Sequence, residues 1–99
     1  ENLLEAVQER GAQLAERLVR LTKKYPKLVA TSRGTGMLQA LVLKDGVDAR
    51  AVLLKLQDAG VLVTIAGGQA LRFTPALNIT SGELSAALDI IDRVLGALP

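Results

Sequence analysis

The opening segment of the chain places its apolar residues on one side of a helix. Spacings of three, four and seven residues connect Leu4, Val7, Leu14, Leu18, Leu21 and Tyr25. This periodicity predicts one amphipathic helix over residues 2–25. Gly11 lies on the same stripe, and because a mid-helix glycine costs about 1 kcal/mol relative to alanine, we expect a close backbone approach there. Pro26 ends the helix, since the residue before a proline avoids the α region.

The middle of the chain alternates short apolar runs with turn residues. Residues 28–36 predict a connection with short extended character, and residues 37–44 predict a strand. That strand is apolar at nearly every position, which indicates cover on both faces. Residues 48–59 predict a second helix, with Asp45 or Asp48 as its N-cap and Gly60 in the left-handed position after its end. Its buried stripe is predicted to be Ala49, Val52, Leu53 and Leu56.

The last third of the chain predicts a hairpin and a capped helix. Residues 61–65 and 70–74 read as strands, and Gly67-Gly68 between them is typical of a turn. Thr80 and Glu83 have the spacing of a capping box, flanked by Ile79 and Leu84 as a hydrophobic staple. The packing stripe of this helix is predicted to be Leu84, Leu88, Ile91, Leu95 and Leu98.

The order of these elements predicts an α+β fold. A small, mainly antiparallel sheet of three strands packs with three helices, in the order α-β-α-β-β-α. We expect the third strand to lie between the first two, as in a split β-α-β arrangement. The chain has 99 residues and no linker-like tract, so residues 1–99 are predicted to form a single domain.

Composition limits the classes of function. The chain has neither Cys nor His, which excludes disulfides, thiol nucleophiles, histidine bases and the usual zinc sites. A net charge of +2 does not indicate a nucleic-acid or membrane partner. The basic residues Arg17, Arg20, Lys23, Lys24 and Lys27 are interpreted as a solvated helix face. No apolar run has the roughly 20 residues of a membrane span, and we expect a cytoplasmic protein.

Hydropathy leaves one question open. Hydrophobic residues make up 49% of the chain and the mean hydropathy is +0.31, which is high for a small domain. Either a partner covers part of this apolar surface, or helical Ala and Leu raise the average. With one Tyr and one Phe in the chain, the core must be aliphatic.

Arg72 is the residue that most suggests binding chemistry. Strand alternation places Leu71 and Phe73 on one face and Arg72 with Thr74 on the other. A guanidinium held there suits a carboxylate or phosphate, and an exposed or ion-paired arginine is the alternative. Gly34-Thr35-Gly36 precedes a strand, unlike a phosphate loop, and Gly67-Gly68 fits a turn. None of the five lysines indicates the desolvated pocket that a Schiff base needs.

Four segments, in order, resemble a known family. They are ENLLE at 1–5, RGTGML at 33–38, AGVLV at 59–63 and LRFTPALNIT at 71–80, with Glu83 following the last. They are similar to the C-terminal small domain of class III aminotransferases, and the last segment most resembles the acetylornithine and ornithine type. Leu38-Gln39-Ala40 departs from that family's usual Leu-Gly, which leaves the subgroup open.

The resemblance implies a function for the parent enzyme. Such enzymes hold pyridoxal 5'-phosphate on a lysine of a large domain and transfer an amino group from an ω-amino donor to 2-oxoglutarate, a step of arginine biosynthesis. They are homodimers. Arg72 falls on the family's substrate-carboxylate arginine; no catalytic, cofactor-binding or metal-binding residue is predicted here, and the 99 residues alone are predicted to be inactive. The alternative is a free-standing α+β ligand-sensing or protein-interaction module without catalytic activity.

Overall fold

Residues 2–98 are described by a computed structural model, and they form three helices and one four-stranded antiparallel sheet. In chain order the elements are α1 Leu3–Lys24, β1 Val29–Thr35, β2 Leu38–Leu43, α2 Ala49–Asp58, β3 Thr64–Ala66, β4 Ala70–Phe73 and α3 Ser81–Gly96. The strands lie in the order β1-β2-β4-β3. The predicted α+β class is therefore confirmed, and the last predicted strand does lie between the two before it.

The prediction of a three-stranded sheet is wrong, because residues 28–36 contain the additional strand β1. It pairs antiparallel with β2 from Val29↔Leu43 to Thr35↔Leu38, with an irregularity near its start. β1 lies at the sheet edge and is mostly exposed, so polar residues such as Ser32 and Arg33 are tolerated in it. Because β1 is held by backbone hydrogen bonds and not by buried side chains, its sequence has no hydrophobic alternation that would predict a strand.

The hairpin after α2 is confirmed, although its first strand is shorter than predicted. Gly67 and Gly68 have φ of +63° and +85°, which glycine adopts without steric cost. They join β3 to β4 as predicted. Val61 and Val63 are buried in the core, but strand pairing begins only at Thr64.

The predicted helix ends agree with the structure. The Asp48 side chain accepts a hydrogen bond of 3.1 Å from the Ala51 amide, and Gly60 has φ of +92°. At the start of α3 the Glu83 amide donates to Thr80 Oγ1 at 3.1 Å, while the Thr80 amide donates to Glu83 Oε1 at 3.0 Å. Two otherwise unpartnered amides of α3 are thus satisfied by its capping box.

On one face of the sheet α1 packs against β1 and β2 and α2 packs against β3 and β4, while α3 packs against α1 and α2. The aliphatic core combines the predicted stripes of α2 and α3 with Leu14, Leu18 and Leu21 of α1. Leu98 is only partly buried. Leu4 is 67% exposed, so its predicted place in the α1 stripe is wrong. Leu38 of β2 is 57% exposed, and the expectation that this strand is covered on both faces is also wrong within residues 2–98.

Basic residues of α1 hold acidic residues of α3 in a contact that we call the α1–α3 clasp, formed by Arg17, Lys24, Tyr25, Asp89 and Asp92. Arg17 Nη2 lies 2.6 Å from Asp89 Oδ1, and Lys24 Nζ lies 3.0 Å from both Asp92 oxygens. The Tyr25 hydroxyl donates to the Asp92 carboxylate as well. Arg17 and Lys24 therefore bind α3, which corrects their interpretation as part of a purely solvated face.

We predict that the clasp gives the fold a specific acid sensitivity. The hydrogen bond from Tyr25, followed by the hydrogen bond from Lys24, lowers the pKa of Asp92 below its ordinary value of 3.8. A carboxyl whose folded pKa is lowered stabilises the fold above its ordinary pKa, and this contribution disappears as the pH falls through the lowered value. Asp92→Asn should cost about 1 kcal/mol at pH 7 and should flatten the loss of stability on acidification.

Urea unfolding midpoints measured from pH 7 down to about pH 2 test this expectation. Asp45→Asn, at an exposed turn position with no side-chain partner within residues 2–98, is the control. An acid profile of Asp92→Asn that runs parallel to that of the unsubstituted chain would contradict the proposed role of the clasp.

Gly11 is predicted to reject alanine although it lies inside a helix. A Cβ at this position would lie 2.9 Å from the carbonyl oxygen of Gly36, and that backbone has little freedom to move. Gly11→Ala should therefore lower the unfolding midpoint despite the helix preference for alanine of about 1 kcal/mol. Gly82→Ala in α3, where a Cβ meets nothing within 4 Å, is the matched control and should be neutral or stabilising. Equal changes in the unfolding midpoint for Gly11→Ala and Gly82→Ala would contradict the proposed steric clash with Gly36.

Candidate functional site

Arg72 projects from the middle of β4, on the face of the sheet opposite the helices. Its neighbours Leu71 and Phe73 are buried in the core, so alternation along the strand directs Arg72 away from it. Arg72 pairs in register with Ala40 of β2 and with Thr64 of β3. The side chain is exposed and has no hydrogen bond or ion pair among residues 2–98. The ion-paired alternative therefore has no partner in the described part of the chain.

A second arginine lines the same depression as Arg72. Arg33 of β1 is in register with Ala40, which is in register with Arg72, so the two arginines lie on either side of this alanine. The depression has a volume of about 250 Å³, and its lining also includes Leu38, Ala66 and Ala70. We refer to it as the Arg33–Arg72 groove.

The Arg33–Arg72 groove is positively charged. Its lining contains both guanidinium groups and no acidic residue. Arg33, like Arg72, has no hydrogen-bond or ion-pair partner within residues 2–98. Guanidinium groups present donors in a fixed fork that matches a carboxylate or a phosphate. The arrangement is therefore suited to binding an anion supplied from outside the described residues.

Sequence reasoning identified Arg72 but not Arg33 as a candidate. Arg33 appeared only as the first residue of a glycine-containing motif, in a segment interpreted as a connection. Once that segment is recognised as β1, strand pairing with β2 brings Arg33 to the face that carries Arg72. The register of β1 against β2 is what places Arg33 beside Arg72, and the sequence alone does not show it.

Gln39 anchors the turn at one end of the groove. It is 5% exposed, and its Nε2 donates to the carbonyl oxygens of Gly11 at 2.9 Å and Gly36 at 2.6 Å. The β1–β2 turn is thereby held against α1, at the place where Gly11 permits the close approach. Gly34, beside Arg33, has φ of +119° and no space for a Cβ, because the backbone of Leu38 would lie 2.3 Å away.

The lysines do not offer a site for an aldehyde cofactor. All five are exposed, so none has the desolvated surroundings that lower a lysine pKa and favour a Schiff base. Gly34 lies in β1, and Gly36, Gly67 and Gly68 lie in turns that lead into strands, so none of them is at a helix N-terminus. Within residues 2–98 there is no cluster of three or more metal-ligating side chains. The described residues thus do not fit pyridoxal phosphate.

A second cavity, of about 240 Å³, lies between α3 and the segments before β3 and after β4. Its lining is mainly apolar, including Val61, Phe73, Ile79 and Leu88, and contains no charged side chain. It lacks the convergent polar groups that orient a substrate. The Arg33–Arg72 groove is therefore the better candidate site.

The described part of the chain also has no helix that is both long and apolar enough to cross a membrane.

Comparison with known proteins decides the family. Residues 1–95 match the family model described as Aminotransferase class-III. The chain belongs to the class III aminotransferases. The resemblance drawn from the motif segments is therefore confirmed, and with it the dependence of the family on pyridoxal phosphate.

Relatives of this chain include acetylornithine aminotransferases. That of Gloeobacter violaceus is 40% identical over 99 residues, covering 100% of this chain and 24% of the relative. That of Prochlorococcus marinus is 39% identical over 93 residues, covering 93% of this chain and 22% of the relative. The chain thus spans about a quarter of the length of these relatives.

Solved structures show the same fold. Acetylornithine aminotransferase from Elizabethkingia anophelis superposes with a TM-score of 0.89 at 26% identity, covering 97% of this chain and 26% of that structure. An ornithine aminotransferase from Plasmodium yoelii gives a TM-score of 0.87 at 30% identity, covering 95% of this chain and 25% of that structure. The α+β arrangement described above is therefore the fold of one part of these larger proteins.

We predict that the Gln39 amide stabilises the turn beside the groove. Gln39→Met keeps the length of the side chain but removes the donor to Gly11 and Gly36. The change should cost about 1–3 kcal/mol of unfolding free energy because two carbonyls lose a buried donor. Gln8→Met, on the exposed face of α1, is the control and should have little effect in the same urea titration. Similar losses for both variants would contradict the anchoring role.

Proposed function

We propose that residues 1–99 are the C-terminal small domain of a pyridoxal-phosphate-dependent aminotransferase that acts on acetylornithine or ornithine. The observation that carries this proposal is Arg72, whose guanidinium has no hydrogen bond or ion pair among residues 2–98 and lies on the helix-free face of a fold that belongs to this family. The names of the relatives support the choice of amino donor. In this proposal 2-oxoglutarate is the amino acceptor, and the enzyme functions in arginine biosynthesis.

Arg72 binds a substrate carboxylate in this proposal. Its position on β4 is fixed by the burial of Leu71 and Phe73, so the guanidinium approaches the groove from a rigid strand. A planar fork held in this way orients a bound amino acid or oxo acid through two parallel hydrogen bonds. Orientation of the reacting carbon is the contribution that a binding arginine makes to the rate.

The rest of the enzyme supplies what the described residues lack. We propose that the cofactor lysine and the cofactor phosphate site lie in a large domain of the same polypeptide, because every lysine here is exposed. The apolar surface is consistent with cover by such a domain, since Leu38 beside the groove and Leu62 are 57% and 84% exposed. A homodimeric, cytoplasmic enzyme is part of the same proposal.

Substitution of Arg72 in the full-length enzyme tests the function. Arg72→Gln should raise KM and lower kcat/KM by about tenfold or more for both the amino donor and the oxo acid, because each loses a charge-assisted hydrogen bond. Arg72→Lys should recover only part of the loss, since an ammonium cannot form the bidentate contact. Steady-state kinetics with each substrate varied in turn gives both constants.

Arg50→Gln is the matched control for this series. Arg50 is an exposed arginine of α2, and it has no side-chain partner among residues 2–98. Its substitution should leave both kinetic constants unchanged. Unaltered kinetics in Arg72→Gln would remove Arg72 from the substrate site, and absence of amino transfer by the full-length enzyme would remove the proposed function.

The 99 residues by themselves should be inactive. Without a desolvated lysine, added pyridoxal phosphate should give no aldimine absorbance beyond that of exposed lysines in an unfolded chain of the same composition. Absorbance spectroscopy of the isolated chain, with the full-length protein as the positive control, measures this. A stoichiometric aldimine on the isolated chain would contradict the proposed division between the two domains.

A further inference from the structure

We propose that Gln39 is a positioning residue of the substrate site, whose buried amide holds one end of the Arg33–Arg72 groove in place. This inference rests on the proposed function, in which Arg72 binds a substrate carboxylate. The Gln39 amide lies on the core side of the sheet and reaches α1. It therefore acts on the site through the turn between β1 and β2, and it makes no contact with the substrate.

Gln39 is an exception in the composition of the core. It is the one buried polar side chain among residues 2–98, and the residues packed around it are apolar. A buried amide costs free energy unless its hydrogen bonds are satisfied. Its Nε2 donates to the carbonyl oxygen of Gly11 at 2.9 Å and to that of Gly36 at 2.6 Å. The amide thus joins α1 to the β1–β2 turn through directional contacts that an apolar side chain cannot make.

Few other contacts fix the β1–β2 turn relative to the helices. Of the seven residues of β1, Val29 alone is buried, and it lies at the end of the strand that is remote from the turn. Met37 in the turn is buried, but apolar packing has no preferred direction. Backbone pairing fixes β1 relative to β2 and not relative to α1. The two hydrogen bonds of Gln39 therefore set the orientation of the turn.

The orientation of the turn matters because the residues that flank it line the groove. Gly34 and Leu38 both lie on the surface of the depression that contains Arg72. A carboxylate bound at Arg72 therefore lies in a volume that these residues close at one end. Ordering one side chain at the moment of binding weakens affinity by roughly two- to tenfold. A turn that is already held by Gln39 avoids this loss.

Steady-state kinetics of the full-length enzyme tests this role, with the amino donor and 2-oxoglutarate varied in turn. Gln39→Met keeps the length of the side chain and removes the donor. Gln39→Asn keeps an amide but is one methylene group shorter, so we expect it to reach at most one of the two carbonyls. Ile91→Val is the control for a loss of stability, because Ile91 is a buried residue of α3 that does not line the groove.

We expect Gln39→Met to raise KM for both substrates by roughly two- to tenfold and to leave kcat unchanged, because the loss falls on binding alone. Gln39→Asn should raise KM less. Ile91→Val should lower the unfolding midpoint and leave both KM values unchanged. In an enzyme that already carries Arg72→Gln, Gln39→Met should raise KM no further, since the carboxylate contact that the turn supports is already lost.

Three results would overturn the role of Gln39 while leaving Arg72 in the substrate site. They are an unchanged KM in Gln39→Met, a rise in KM that Ile91→Val reproduces, and a rise that adds in full to that of Arg72→Gln. If Gln39→Met does not fold, an unchanged KM in Gln39→Asn overturns the role in the same way. No effect of Arg72→Gln on either KM would instead refute the proposed carboxylate site itself.

Discussion

The alternation of side chains along β4 determines where Arg72 can lie. Leu71 and Phe73 are committed to the aliphatic core beneath the three helices, so Arg72 between them must project from the opposite face. A shift of one residue in the register would exchange these faces and bury a guanidinium. The hydrophobic core therefore fixes the direction of the arginine, and the arginine needs no contact of its own to hold its strand in place.

The contacts of Gln39 with Gly11 and Gly36 fix the position of the sheet edge. β1 contributes little apolar surface, and its position depends on backbone pairing with β2 and on the turn that Gln39 and Gly11 fasten to α1. Arg33 lies on this edge strand. The rigidity of the groove thus comes from the core on one side and from a buried amide on the other.

Local signals predicted those features that local interactions determine. The capping box of Thr80 and Glu83, the Asp48 cap and the glycine turns depend on residues close together in the sequence, and these were found correctly. The prediction missed β1, because an exposed edge strand carries no hydrophobic alternation. It also misplaced Leu4, because periodicity alone does not show where a helix extends beyond the core that it covers. The position of Arg72 could be predicted from alternation within one strand. The position of Arg33 could not, because it depends on how β1 pairs with β2.

The most direct measurement is a crystal structure of the full-length enzyme with a carboxylate-bearing substrate analogue bound. We expect the Arg72 guanidinium at hydrogen-bonding distance, roughly 2.7–3.2 Å, from a carboxylate oxygen of the ligand. A ligand carboxylate held entirely by other residues, with Arg72 turned away from the bound molecule, would contradict it.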